Sequence, residues 1–117
     1  MPSPKRGEIW LVELDPGTGH EQPGRRPYLI VSSDIFNSGR SGLVLGMPLT
    51  SKVAKSKNII AHIPIDPPEG GIKMQSVVLC DQLRSISRDR LLVGPWGTVS
   101  APFLNHVEAV LRSLLQL

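Results

Sequence analysis

Turn-forming residues interrupt this chain every few positions, and that punctuation constrains its fold more than any other feature. Eleven glycines and eleven prolines are spread through 117 residues, separating short apolar runs, which favours an all-β core over long helices. Ile9–Leu14 is nearly continuous in apolar residues and stops at Asp15-Pro16-Gly17, a turn signature. A polar loop, 17–25, leads to a second strand over Pro27–Val31, with proline at its first position. Ser33 to Asn37 reads as one capped helical turn stopped by Gly39. Leu43–Thr50 reads as a third strand, with Gly46 and Pro48 suggesting a bulge or an edge. Ile59–Ile65 and Ser76–Asp81 read as the fourth and fifth, with short pieces at Leu91–Val93 and Thr98–Val99. Short strands this close together point to a small barrel.

The period changes at the C-terminus. Phe103, Leu104, Val107, Val110, Leu111, Leu114 and Leu115 share one helical stripe, with Asn105, Glu108, Arg112 and Gln116 opposite. Ser100 can cap the start of that helix, and Pro102 is tolerated in a first turn. The expected fold is one mainly-β domain over residues 1–117, a small barrel of five to seven strands with a C-terminal helix. The length fits one domain and one core.

Several function classes are disfavoured. No apolar run approaches the roughly 20 residues that cross a membrane, and the N-terminal residues lack the apolar core of a signal peptide. The lone Cys80 excludes an internal disulfide and suits a reducing cytoplasm, which is the expected location. His20, His62, His106 and Cys80 have no zinc-ligand spacing, and no Asp-x-Asp pair offers to hold two metal ions. Neither a dinucleotide fingerprint, a Walker loop nor a nucleophile elbow is present, so no cofactor is expected. Polar chemistry by Arg, Thr, Asp, Glu and His remains.

Charge is unevenly placed on a chain of net charge +3. Arg25, Arg26, Arg40, Lys52, Lys55 and Lys57 face Asp34 alone within residues 25–57, whereas residues 59–117 are balanced. One basic region on a neutral body fits a polyanion site, though a merely solvated face would look the same. With five aromatic residues, extensive base stacking is not expected. Trp10 and Trp96 read as barrel core or interface in preference to base platforms, His62 and His106 as structural, and Cys80 as an inert strand residue.

The polar loop carries a specific resemblance. Arg6-Gly7-Glu8-Ile9-Trp10-Leu11-Val12, Leu14-Asp15-Pro16, Gly19-His20-Glu21-Gln22 and Gly24-Arg25-Arg26-Pro27 together resemble the N-terminal signature of the MazF/PemK toxins. Pro48-Leu49-Thr50-Ser51 resembles that family's third-strand Thr/Ser element. Ser76-Val77-Val78-Leu79-Cys80-Asp81-Gln82-Leu83-Arg84, followed by Arg90-Leu91, resembles its Asp-Gln segment. Blocks in this order, from residue 6 to about 91, are far more specific than any one alone.

The resemblance implies an SH3-like barrel, a homodimer, metal-independent and sequence-selective cleavage of single-stranded RNA, and inhibition by a cognate acidic antitoxin protein. It matches Arg26 to the family's catalytic arginine and Thr50 to its catalytic threonine. Glu21 matches an acidic loop residue, and His20 and Asp81 match positions used by the PemK/Kid-like branch. Gln22, Arg25, Ser51, Lys52, Ser76, Gln82 and Arg84 are the expected RNA contacts. Leu79 departs from the pattern, because that branch carries an arginine two residues before the aspartate. Two other classes compete: a CcdB-like gyrase-binding toxin, and a non-catalytic SH3-like nucleic-acid-binding module. Neither requires the Glu-Gln…Arg-Pro loop.

The chemistry suits these residue types. RNA is cut when its 2′-OH attacks the adjacent phosphorus, leaving a 2′,3′-cyclic phosphate and a 5′-OH. A guanidinium, planar and permanently charged, can donate two bonds to the phosphate oxygens, and a threonine hydroxyl adds a neutral donor. Asp81, Glu21 and His20 are each able to move protons; Asp81 can equally be an internal acceptor for loop amides. Adjacent second and third strands are expected to bring Arg26 and Thr50 to one rim of the barrel.

Overall fold

The first strand decides how the interior is divided. The structure, a computed structural model, describes residues 3–14 and 24–117. In β1 (Glu8–Glu13) Ile9 enters one apolar cluster, while Trp10 and Val12 enter another. β2 (Arg25–Ile30) splits the same way, with Leu29 in the first cluster and Tyr28 and Ile30 in the second. Successive side chains of a strand point to opposite faces, so the two clusters lie on the two faces of one sheet. Because both faces are covered, the first apolar run is continuous rather than alternating.

The sheet has seven strands. Antiparallel neighbours run β4-β5-β3-β2-β1-β7, with β6 alongside β3. β3 (Leu43–Thr50) is the hub: one edge pairs with β2, and the other pairs first with β6 (Arg84–Ser87) and then with β5 (Ser76–Leu79). β4 (His62–Ile65) forms a hairpin with β5, and β7 (Gly97–Thr98) caps the free edge of β1. The result is a curled antiparallel sheet, a half-barrel, at the upper end of the expected strand number. Pro48 sits in a central strand, not at an edge. It falls between Gly46, the last partner of β6, and Leu49, the first partner of β5, where a missing N–H costs no ladder bond.

α2 (Ala101–Leu115) closes the first cluster with Val107, Phe103, Leu104, Val110 and Leu111. Ser100 caps it as expected, its hydroxyl accepting from the Phe103 amide at 3.3 Å. Glu69 holds the cap, accepting from both the Ser100 amide and, at 3.0 Å, its hydroxyl. Arg6 donates to Glu108 of the helix and to the Val31 carbonyl, tying the helix to the sheet. The short α1 (Asp34–Asn37) starts at Ser33, whose hydroxyl accepts from the Phe36 amide at 3.2 Å.

The second strand starts earlier than expected, at Arg25 rather than Pro27, and three other elements are shortened. The fourth strand begins at His62, because Asn58 adopts a left-handed φ of 67° and the His62 amide closes a turn onto the Ile59 carbonyl at 3.0 Å. The fifth ends at Leu79 and passes into a single 3₁₀ turn, Cys80–Gln82. Leu91–Val93 contributes only one bridge, from Leu91 to Val12. Leu29 is fully buried in the first cluster, so Leu29→Ala leaves a cavity where the strands and α2 meet. The expected loss of stability is about 2–5 kcal/mol, measured as a lowered urea midpoint; an unchanged midpoint would contradict this packing.

Candidate functional site

The register between β2 and β3 builds the site. Tyr28 lies opposite Pro48 and Leu29 opposite Met47. Continuing that register by two residues sets Arg26 across from Thr50, on the same face of adjacent strands. The β3–β5 register, with Thr50 opposite Val77, likewise continues to Ser51 across from Ser76. These residues share a cleft of about 690 Å³. Arg25, Arg26, Thr50, Ser51, Lys52, Lys73 and Ser76 supply its polar lining, and Pro27, Leu49, Ile72, Met74 and Trp96 its apolar lining.

Its electrostatics are one-sided. Four cations line the cleft, and among the described residues no carboxylate does, an arrangement that concentrates an anionic ligand. Arg25 is partly matched: its Nε donates to Glu13, its cross-strand neighbour, at 3.3 Å. Both side chains are about half exposed, so that pair contributes little to stability. Arg26 has no carboxylate partner among the described residues. The Lys52 amide donates to Thr50 Oγ1 at 3.2 Å. That bond occupies a lone pair of the hydroxyl and leaves its proton available to a ligand.

Six residues expected from sequence therefore meet in one place: Arg25, Arg26, Thr50, Ser51, Lys52 and Ser76. Asp81, Gln82 and Arg84 do not line this cleft; they are exposed on and after the turn that follows β5. Asp81 instead engages His62, with Nε2 to Oδ1 at 3.0 Å, while the other ring nitrogen meets Ser56 Oγ at 2.9 Å. His62 is thus the centre of a three-residue chain, a role its sequence context did not signal. Leu79 is buried, so the position of the PemK/Kid-like arginine holds a core side chain here. His20, Glu21 and Gln22 lie outside the described residues. Among the described residues no three His, Cys, Asp or Glu side chains converge as metal ligands would.

Sequence reasoning missed Lys73 and Met74, and it favoured core or interface for Trp96, which lines the cleft. Lys73 and Met74 follow the turn at Gly70-Gly71, and Trp96 precedes β7. The two segments meet because glycines let their backbones touch: a Cβ on Gly71, where φ is +81°, would stand 2.2 Å from the Trp96 carbonyl oxygen. Glycines at both Gly70-Gly71 and Gly97 were the available signal, but local patterning cannot tell which turns will pack together.

Comparison with known proteins places the chain in a family and matches its fold. A family model described as a PemK-like, MazF-like toxin of type II toxin–antitoxin systems matches residues 5–115. The chain is 36% identical to an endoribonuclease named MazF9 from Mycobacterium tuberculosis, with 97% of each sequence covered. It is 43% identical to the endoribonuclease PemK of Escherichia coli, over 70% of this chain and 59% of PemK. Among solved structures it is similar to a MazE–MazF crystal form from Deinococcus radiodurans. That likeness has a TM-score of 0.81 and 31% identity, and it covers 100% of this chain and 99% of the other.

Cys80 adjoins this region but is chemically quiet. Burial, and then the negative charge of neighbouring Asp81, push its thiol from 9.0 up to about 12. At pH 8 that makes the thiolate, the reactive form, about a thousandfold scarcer than at the ordinary value. Native protein should therefore resist thiol reagents at pH 8 and react promptly once denatured. Rapid labelling of the native thiol would contradict the placement.

Proposed function

The chain belongs to the PemK-like, MazF-like toxin family of type II toxin–antitoxin systems, and from that premise we propose that it is the endoribonuclease of such a pair. It cleaves single-stranded RNA, mRNA among its targets, at selected sequences and so blocks translation in the cytoplasm. The observation that carries this reading is that Arg26 and Thr50 line one cleft together with three further cations. Relatives along nearly the whole chain are named endoribonucleases, which supports the same activity.

In the proposed mechanism the 2′-oxygen of the substrate attacks phosphorus and the bond to the 5′-oxygen breaks. The products are a 2′,3′-cyclic phosphate and a 5′-OH. Arg26 donates two N–H bonds to the non-bridging oxygens, holding the phosphate in line and offsetting the charge that builds there. Thr50, its lone pair engaged by the Lys52 amide, donates its hydroxyl proton to the same group. Arg25, Ser51, Lys52, Lys73 and Ser76 hold the flanking backbone. Glu21 and His20, which precede β2 in the sequence, and Asp81, paired with His62 outside the cleft lining, are the candidates for moving protons. No metal enters this scheme, because the nucleophile is the neighbouring ribose hydroxyl, already tethered near phosphorus.

Two partners complete the proposal. A homodimer would cover apolar surface that the sheet leaves open on α2, where Leu114 and Leu115 remain exposed. An acidic antitoxin segment would lie along the cations of residues 25–57 and compete with RNA. The MazE–MazF assembly of the Deinococcus relative supports a protein partner of that kind.

Arg26→Ala and Thr50→Ala should each leave a folded protein that cuts RNA about a hundredfold more slowly or worse, the usual effect of losing one such donor. Arg25→Ala should cost far less. Cleavage should survive excess chelator and stop when the ribose 5′ to the cut carries a 2′-deoxy or 2′-methoxy group. Full activity of folded Arg26→Ala, or cutting of the deoxy substrate, would overturn the proposal.

A further inference from the structure

Only one aromatic side chain lines the cleft. All five lie within the described residues: Trp10 and Tyr28 are interior at 2% and 3% exposure, Phe103 packs on the core, and Phe36 sits on α1 away from the cleft. Trp96 is 43% exposed and faces the same cavity as Arg26 and Thr50. An indole left half open to water forfeits much of the stabilisation its burial would bring, so its position calls for an explanation other than core packing.

Its backbone is clamped. The Trp96 amide donates to the Ile9 carbonyl at 2.8 Å, and Gly97 continues into the β1–β7 pairing. From the other side Gly70 and Gly71 press against residues 96 and 97, so closely that a Cβ on Gly97 would meet Gly70 at 2.9 Å. With the backbone held, only two side-chain torsions remain, and a rigid aromatic presented this way loses little entropy on contact. Beside it in the cleft stand Met74, 63% exposed, and the cations Lys73 and Arg25. The cavity, about 690 Å³, falls within the roughly 300–1,000 Å³ of pockets that enclose a small molecule. It exceeds what a phosphate group alone would fill.

We infer that Trp96 is a stacking platform for a nucleobase next to the scissile phosphate, and therefore a determinant of where the RNA is cut. This rests on the endoribonuclease reading above. Single-stranded RNA repeats an anionic group and a π-face at every nucleotide, and such chains are bound where cations and exposed aromatics are interleaved. The cleft offers that combination: guanidinium and hydroxyl donors on β2 and β3, and an indole on the strap leading into β7. An acidic peptide would satisfy the cations but offers a π-face only where an aromatic residue happens to fall, whereas RNA offers one at every nucleotide.

The test is a coupling measurement. The probe is an oligoribonucleotide carrying the protein's own cleavage sequence, made uncleavable by one 2′-deoxy residue at the cut, and a second set in which each flanking base in turn is made abasic. Trp96→Ala should weaken binding of the intact probe by about 5- to 150-fold, the range for loss of one base stack. Trp96→Phe should stay within a few-fold of wild type, whereas Trp96→Leu, apolar but without a π-face, should lose nearly as much as alanine. Removing one flanking base should weaken wild type by a similar factor and weaken Trp96→Ala little further. Additive losses at every position would overturn the inference, as would leucine serving as well as phenylalanine. So would a Trp96→Ala protein that keeps full RNA affinity but dissociates from its own copy or from an acidic partner. If Arg26→Ala abolishes cleavage while Trp96 variants bind normally, only this inference fails; if Arg26→Ala cuts normally, the underlying reading of the cleft fails.

Discussion

β3 has to satisfy three neighbours at once, and the rest of the molecule is arranged around that requirement. Its first half pairs with β6, its last residues with β5, and its opposite edge with β2. A strand that changes partner midway cannot lie in a flat sheet, so the sheet curls and wraps the cluster that α2 closes. Pro48 occupies the changeover, where a residue without an N–H is harmless. The same strand ends at Thr50, and its register with β2 places Arg26 across from it. The curl and the site are thus two outcomes of one pairing pattern. A slip of one residue between β2 and β3 would turn both side chains to opposite faces.

The cleft separates two kinds of chemistry. Groups that can hold and neutralise an anion are gathered in it, no carboxylate lines it among the described residues, and Glu13 engages Arg25 at the margin. Asp81, by contrast, is tied into a chain with His62 and Ser56 at the end of β5. Asp81 is thereby engaged outside the cleft lining, and among the described residues no carboxylate stands in the cleft to occupy the donors of Arg26.

Much of this was legible in the sequence because local pattern and global fold agree there. β1, β3 and α2 announce themselves by apolar runs and by a helical stripe with its serine cap. The Arg26 and Thr50 positions were found through ordered motifs rather than through any property of an isolated arginine or threonine. β6 escaped because Ile86 is the only apolar residue in Arg84–Ser87, too weak a pattern to see before its partner β3 is known. Ile59 and Ile60 misled for the opposite reason: they are β-formers left exposed in a turn set by Asn58. Lys73 was invisible as a site residue and Trp96 read rather as core or interface, since their meeting depends on two glycine turns far apart in sequence. His62 looked structural, and only the hairpin that sets it near Asp81 reveals its contacts.

The glycine contact between residues 70–71 and 97 also bears on how such a protein can diversify. Two backbones in van der Waals contact leave no room for any side chain at the junction, so these positions admit one residue type and the scaffold there is frozen. Immediately beside them, Lys73, Met74 and Trp96 rest on that frozen junction while facing open space. Those three side chains can therefore change without altering the backbone junction on which they rest. On the proposed function, the outer lining of the cleft can thus diversify while Arg26 and Thr50 keep their places on β2 and β3.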